Sequence, residues 1–305
     1  MTTRTTMLGE LKNQIHPLSL SPIMAEKPWG PRQPSKFYPA DAQAAWGEIF
    51  LAIRDFGLTS RVASGPLADQ PIHKIAQNWG RELIEPPGSA GWPIPLTVWL
   101  ERTGDQPGPV RVKSGPEFWR ILEATPESWI GAGEDPNQSD WPQRLQLSLA
   151  EPGDNLIFPA GLPQAQGPGL TVIKAGLSGI SLETLYDWGR RPDIWDYQNA
   201  PGVQVRRSNE PLLALGPDQG TEGLTTLGQM AGLEISLLRS TFQTLKGGRF
   251  AIICPISGQG RLNSSGVFPT NRLRLGGATL VPSGLGPYSI VSNSSLTALI
   301  FTQAR

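Results

Sequence analysis

Leu149-Ala-Glu-Pro-Gly-Asp-Asn-Leu-Ile-Phe-Pro-Ala-Gly-Leu162 and Leu273-Arg-Leu-Gly-Gly-Ala-Thr-Leu-Val-Pro-Ser-Gly-Leu285 are two versions of one phrase. Each has a Gly turn, a short apolar run, and then Pro-Ala/Ser-Gly-Leu. Glycine allows the tight turn, and the apolar run reads as a buried strand leading into a loop. A phrase that recurs late in each half of a chain predicts two related β domains.

The surroundings fit that reading. The 305 residues include 35 glycines and 30 prolines, spread between apolar runs rather than gathered in one tract, which marks a turn-rich β chain. Strands are expected at 46–53, 96–101, 110–113, 117–124, 128–131, 145–149 and 155–158. The rhythm returns at 234–241, 249–256, 260–263, 271–275, 278–282, 288–292 and 296–302. Short strands between Gly and Pro punctuation indicate jelly rolls. One helix is expected over 69–84, where Ile72, Ile75, Ala76, Trp79 and Leu83 recur at helical spacing and Asp69 can cap ahead of Pro71. The predicted layout is a flexible arm over 1–20, a first domain over 21–191, a polar connection over 192–232 and a second domain over 233–305. All ten tryptophans precede residue 200, so the two domains carry different surfaces.

Composition excludes several function classes. The formal net charge is zero, so no basic excess points to nucleic acid or an anionic membrane. Cys254 is the sole cysteine and reads as a small buried hydrophobe, with no internal disulfide to form. Residues 1–20 lack the apolar core of a signal peptide, and no window approaches a membrane span. A cytoplasmic protein is expected. Without a suitably placed His no Ser-His-Asp triad can be assembled, and the Gly247-Gly248 and Gly276-Gly277 pairs open no helix that would cradle phosphate. Asn293-Ser-Ser295 fits the glycosylation pattern, which a cytoplasmic chain would not use.

Five segments, in order, resemble the class I mannose-6-phosphate isomerases, which are cupins. Glu26-Lys-Pro-Trp-Gly30 is similar to that family's Lys-x-Trp-Gly opening, and Trp46-Gly-Glu-Ile-Phe-Leu51 to its Gly-Glu strand. Ser60-Arg-Val-Ala-Ser-Gly-Pro-Leu67, Tyr186-Asp-Trp-Gly-Arg190 and Val281-Pro-Ser-Gly-Leu-Gly-Pro-Tyr288 follow. The resemblance implies a mainly β double cupin, two jelly-roll β-barrels with a few short helices. It also implies an aldose–ketose isomerase with one divalent metal, usually zinc, held in the first barrel by Gln, His, Glu and His.

Those ligand positions are changed here. The family's Gln-Val-His strand aligns with Arg111-Val-Lys113, its glutamate with Glu117, and its last histidine with Gln164. The family's arginine ahead of Tyr-Asp-Trp falls on Thr184, with Arg190 close downstream. Lysine ligates metal only after losing its proton, and arginine effectively never does. The two histidines, His16 and His73, lie outside the barrel and read as surface or cap-side residues. No metal cofactor is therefore expected. Lys27, Trp29, Arg111, Lys113, Glu117, Gln164 and Arg190 are the candidate ligand-binding residues, with Glu48 bracing them and no confident catalytic residue. A sugar phosphate or another small anion is the partner such charges would take.

Three functions stand open on the sequence: a sugar-binding relative without metal-dependent activity, a working mannose-6-phosphate isomerase with an atypical site, and a structural bicupin without ligand. Arg111, Lys113, Glu117 and Gln164 read first as a self-satisfied plug and second as an anion or sugar-phosphate pocket, with a two-residue misalignment as the remaining reading.

Overall fold

The computed structural model describes residues 14–37, 44–84, 96–133, 143–179, 182–190, 213–214, 220–264 and 270–304. The arm expected over 1–20 lies outside the described residues as far as 13, and the connection over 192–232 does so at 192–212 and 215–219. The described chain is mainly β. Its contacts gather it into two units, one of Met1–Ile23, Leu51–Pro95 and Gly220–Arg305, the other of Met24–Phe50 and Leu96–Gln219.

The second of these carries two sheets. A seven-stranded sheet runs in the order Leu213–Ala214, Asn155–Phe158, Glu117–Glu123, Thr171–Leu177, Leu96–Arg102, Trp46–Ala52 and Ile23–Glu26. A five-stranded sheet runs Leu145–Leu149, Trp129–Gly133, Gln164–Gln166, Val110–Lys113 and Leu182–Tyr186. Side chains alternate across each strand. Trp119, Ile121, Ile130, Phe158, Leu170 and Val172 from the inner faces form a buried apolar core. On the other face of the five-stranded sheet, Val110, Leu145 and Ala165 pack with Trp129, Tyr186 and Trp188.

The expectation of two closed jelly-roll barrels is corrected here, because no sheet closes on itself. Closure needs a hydrogen-bonded ladder that runs unbroken around the ring. In this unit the chain steps repeatedly from one sheet to the other, and nearly every step carries a proline: Pro107 and Pro109, Pro116, Pro126, Pro152, Pro159 and Pro163, then Pro168. Proline has no N–H to continue a ladder, so the corners separate the sheets and leave open edges.

The other unit holds one nine-stranded sheet. Its path is Gly223–Met230, Leu233–Leu245, Tyr288–Gln303, Ala251–Ser257, Ala278–Val281, Leu18–Ser21 and Arg61–Val62, with Gly260–Ser264 and Asn271–Leu273 branching from it. Leu238, Ile253, Leu262, Leu273, Ile290, Leu296 and Ile300 share its core. Cys254 is buried in this sheet, and burial pushes its thiol well up. The helix spans Ile72–Trp79 with Pro71 at its cap, and a tighter turn follows over Gly80–Glu82. Asp69 does not cap it and sits instead at φ 63°. His16, expected to be a surface or cap-side residue, is buried edge-on to Trp79 at 5.4 Å, and burial lowers its pKa.

The repeated phrase is a repeated geometry. Asn155–Phe158 and Ala278–Val281 each end in a turn, with Leu162 donating to the Pro159 carbonyl at 3.4 Å and Leu285 to that of Pro282 at 3.1 Å. The family-like glycines are explained by close approach. A Cβ on Gly30 would lie 2.3 Å from the Ala45 carbonyl oxygen, and one on Gly47 would lie 2.4 Å from the Lys27 Cβ. These two glycines let the Lys27–Gly30 turn lie against the strand Trp46–Ala52, which sets Lys27 beside Glu48.

Candidate functional site

Where the apolar core of the two-sheet unit ends, its inner faces become charged. Arg111 and Lys113 are two residues apart on Val110–Lys113, so both point inward. By the same alternation Gln164 and Gln166 come from one strand, Trp99 and Glu101 from another, Glu117 and Trp119 from a third, and Lys174 from a fourth. All are buried, with Glu117 only 1% exposed.

The charges form a connected network. Glu48 accepts from Arg111 Nη1 at 2.7 Å and lies 3.3 Å from Lys27 Nζ. Glu101 accepts from Lys174 Nζ at 2.5 Å, and its Oε2 lies 3.9 Å from Arg111 Nη1. Glu117 takes the Lys113 ammonium on one carboxylate oxygen and the Gln164 amide on the other. Tryptophan rings line the cations. Lys113 Nζ lies 3.8 Å from the Trp99 ring centroid and Lys174 Nζ 3.6 Å from that of Trp119, both in cation–π range. Lys27, Arg111 and Arg190 surround the Trp29 ring at 5.5, 5.1 and 5.4 Å. Arg190 is held there by Asp187 at 2.5 Å and the Pro107 carbonyl at 2.8 Å.

The structure thus brings all seven sequence candidates, and Glu48, into one cluster. Glu101, Lys174, Trp99 and Trp119 were not anticipated. Lys174 had a signal of its own: it is the one charged side chain in the buried run Thr171–Leu177, and a lone cation there requires a partner. Thr184 pairs across from Arg111 in the ladder and carries no positive charge to the site.

Four cations, Lys27, Arg111, Lys113 and Lys174, face three carboxylates, Glu48, Glu101 and Glu117, which leaves one positive charge in excess. Burial alone would raise the Glu48 pKa, but the charges of Arg111 and Lys27 outweigh it and hold the carboxyl at about 2. Burial lowers the pKa of Lys113; Glu117 opposes this, and Lys174 and Arg111 reinforce it.

The Glu48 shift sets a pH dependence. A carboxyl whose pKa falls on folding contributes stability that is complete above its unfolded value and is lost as pH drops through the folded one. The fall from 4.5 to about 2 is worth about 3 kcal/mol. Denaturant melts between pH 5 and pH 2 are expected to lose stability of this order, and the Glu48→Gln variant is expected to lose correspondingly less over that window. Equal losses in both proteins would remove Glu48 as the source.

The side chains fill their own space. Between Trp99, Arg111, Lys113, Glu117, Gln164 and Lys174 the remaining cavity is about 10 Å³, room for a single water. A divalent metal does not fit this donor set. Both Glu117 oxygens are engaged, and a cation bound there would sit beside the Lys113 ammonium and the Arg111 guanidinium. Among the described residues no three His, Cys, Asp or Glu side chains gather as a metal site. Likewise no helix among them is long and apolar enough to cross a membrane.

No protein-family model matches the chain, and no curated protein matches it significantly. Solved structures do. The mannose 6-phosphate isomerase of Bacillus subtilis superposes with a TM-score of 0.70 at 19% identity, covering 94% of this chain and 99% of that one. A point variant of the phosphomannose isomerase of Salmonella typhimurium gives 0.70 at 12% identity, covering 94% and 100%. A zinc-bound mannose 6-phosphate isomerase gives 0.70 at 10% identity, covering 94% and 99%. At these identities the likeness establishes a shared fold over nearly the whole chain.

Proposed function

We propose that this chain is a divergent, cytoplasmic relative of the mannose-6-phosphate isomerases that no longer performs metal-dependent isomerisation, its metal position having become a structural ion-pair network. One observation carries this reading: the Lys113 ammonium lies over Trp99 and is paired with Glu117, whose other oxygen accepts from Gln164, where the family resemblance places metal ligands. The roughly 10 Å³ of free space supports it, because a hexose phosphate needs a cavity of hundreds of Å³.

A second reading, a retained pocket for a sugar phosphate or small anion, is favoured by the excess positive charge, which suits the anion, and by two buried carbonyl oxygens without a hydrogen-bond partner, Oε1 of Gln164 and of Gln166, which could accept from sugar hydroxyls. It requires Lys113 and Arg111 to turn aside. Metal analysis of the purified protein, with an assay converting mannose 6-phosphate to fructose 6-phosphate, tests the first reading. No bound zinc and no turnover above background are expected. Turnover that scales with protein and is lost on chelation would overturn it.

A further inference from the structure

A second cavity lies far along the chain from the charged cluster, in the unit that holds the nine-stranded sheet. Its volume is about 560 Å³, within the usual range for small-molecule sites. Gly260–Ser264 and Asn271–Leu273 pair in register, with Leu262 and Leu273 turned into the apolar core. Alternation turns Arg261 and Arg272 to the other face, and the register sets them directly opposite each other. Arg274, two residues beyond Arg272, also lines the cavity.

This arrangement is unfavourable as it stands. Like charges directly opposite on neighbouring strands repel. Among the described residues no Asp or Glu lines the cavity, and none of the three arginine side chains has an ion-pair partner there. The chain as a whole is electrically neutral, so this is a local concentration of positive charge rather than a general basic character. Guanidinium groups present forked donors matched to phosphate oxygens. The Asn263 and Asn293 amides supply donors and acceptors suited to hydroxyl groups. Among the described residues no aromatic side chain lines the cavity, so they offer a nucleobase no stacking partner.

We propose that Arg261, Arg272 and Arg274 form a binding site for a phosphorylated, hydroxyl-rich small molecule of the sugar-phosphate class. The site is independent of the function proposed above, because it uses none of the residues of the charged cluster.

Calorimetric titration of the full chain with glucose 6-phosphate, inorganic phosphate and glucose tests the site. Glucose 6-phosphate is expected to bind, more tightly than phosphate, and glucose is expected not to bind. Each single Arg→Gln change should weaken binding roughly tenfold or more, and the triple change Arg261→Gln/Arg272→Gln/Arg274→Gln should abolish it. Rising salt should weaken it as well. Because removing Arg261 or Arg272 relieves repulsion, the triple variant is expected to melt no lower than the parent; should it misfold, Arg274→Gln, outside the strand ladder, carries the test alone. Absence of glucose 6-phosphate binding at millimolar concentration would overturn the proposal, and so would unchanged binding by the folded variants. Phosphate binding as tightly as the sugar phosphate would overturn the assignment of a hydroxyl-rich ligand. Binding lost on changing Arg111 but not Arg272 would place the ligand in the charged cluster instead.

Discussion

Glu117→Gln is expected to destabilise the protein by roughly 3–5 kcal/mol, and adding Lys113→Met to recover most of that loss. Glutamine keeps the size of the side chain and removes only its charge. Lys113 would then be a buried ammonium with no counter-charge, facing Arg111 and Lys174. Breaking one member of a buried pair leaves an uncompensated charge, whereas replacing both members by groups of similar shape is often nearly neutral. Methionine at 113 would keep the contact with the Trp99 ring without a charge. The penalty in Glu117→Gln should also depend on pH in a defined sense. The Lys113 pKa, already lowered by burial, would fall further, so the cost is full below that lowered value and fades as pH rises from it toward the ordinary lysine value of about 10.4. Urea melts of the two variants at pH 7 and near pH 10 measure both effects. A loss below about 1 kcal/mol at pH 7 would show that this pair does not hold the two sheets together.

Arg111→Gln/Lys113→His/Gln164→His is expected to bind close to one zinc ion per chain where the parent binds none. The three changes, with Glu117 kept, install the ligand types that the family resemblance places at these positions. They also reverse the local charge. Four cations against three carboxylates becomes two against three, from an excess of one positive to one negative, while Lys27 stays beside Glu48 and Lys174 beside Glu101. Zinc favours imidazole nitrogen together with carboxylate oxygen, and two shorter side chains would open the space that Arg111 and Lys113 now fill. Metal content after dialysis against trace zinc reads the outcome directly, and chelation should lower the melting temperature of the variant but not of the parent. A folded variant that retains no zinc would mean that the ligand positions of the resemblance do not coincide in space here.

Most strand positions were legible because proline and glycine mark them on the chain. Val110–Lys113, Leu145–Leu149 and Asn155–Phe158 were read with their full bounds from such punctuation. Where the punctuation misleads, the reading fails. Asn293-Ser-Ser295 looks like a turn between two strands, yet Tyr288–Gln303 is one continuous strand that is exposed at this point, pairs with Leu233–Leu245 on either side of it, and changes partner only on its other edge. Sheet closure could not be read at all, because it depends on which edges meet and not on any one strand. For the charged cluster, the resemblance located Arg111, Lys113, Glu117 and Gln164, but it had no slot for Glu101 and Lys174. Those two answer to each other across neighbouring strands, in a pairing that exists only once Thr171–Leu177 lies beside Leu96–Arg102. The guanidinium cavity was missed for a similar reason: Arg261 and Arg272 are unremarkable until the register sets them opposite.

The ladder between Leu18–Ser21 and Ala278–Val281 has a consequence during synthesis. Leu20 pairs with Ala278, 258 residues further on (278 − 20). At about 5–20 residues per second the ribosome needs roughly 13–50 seconds to make that stretch. Through this interval the early strand has on its other edge only Arg61–Val62, which is two residues long. Leu18 and Leu20, buried in the finished sheet, must wait exposed or be shielded by something else. A nascent chain stalled before residue 278 should therefore be open to proteolysis near its beginning, and its tendency to aggregate should be set by the pace of translation as much as by the strength of the completed fold.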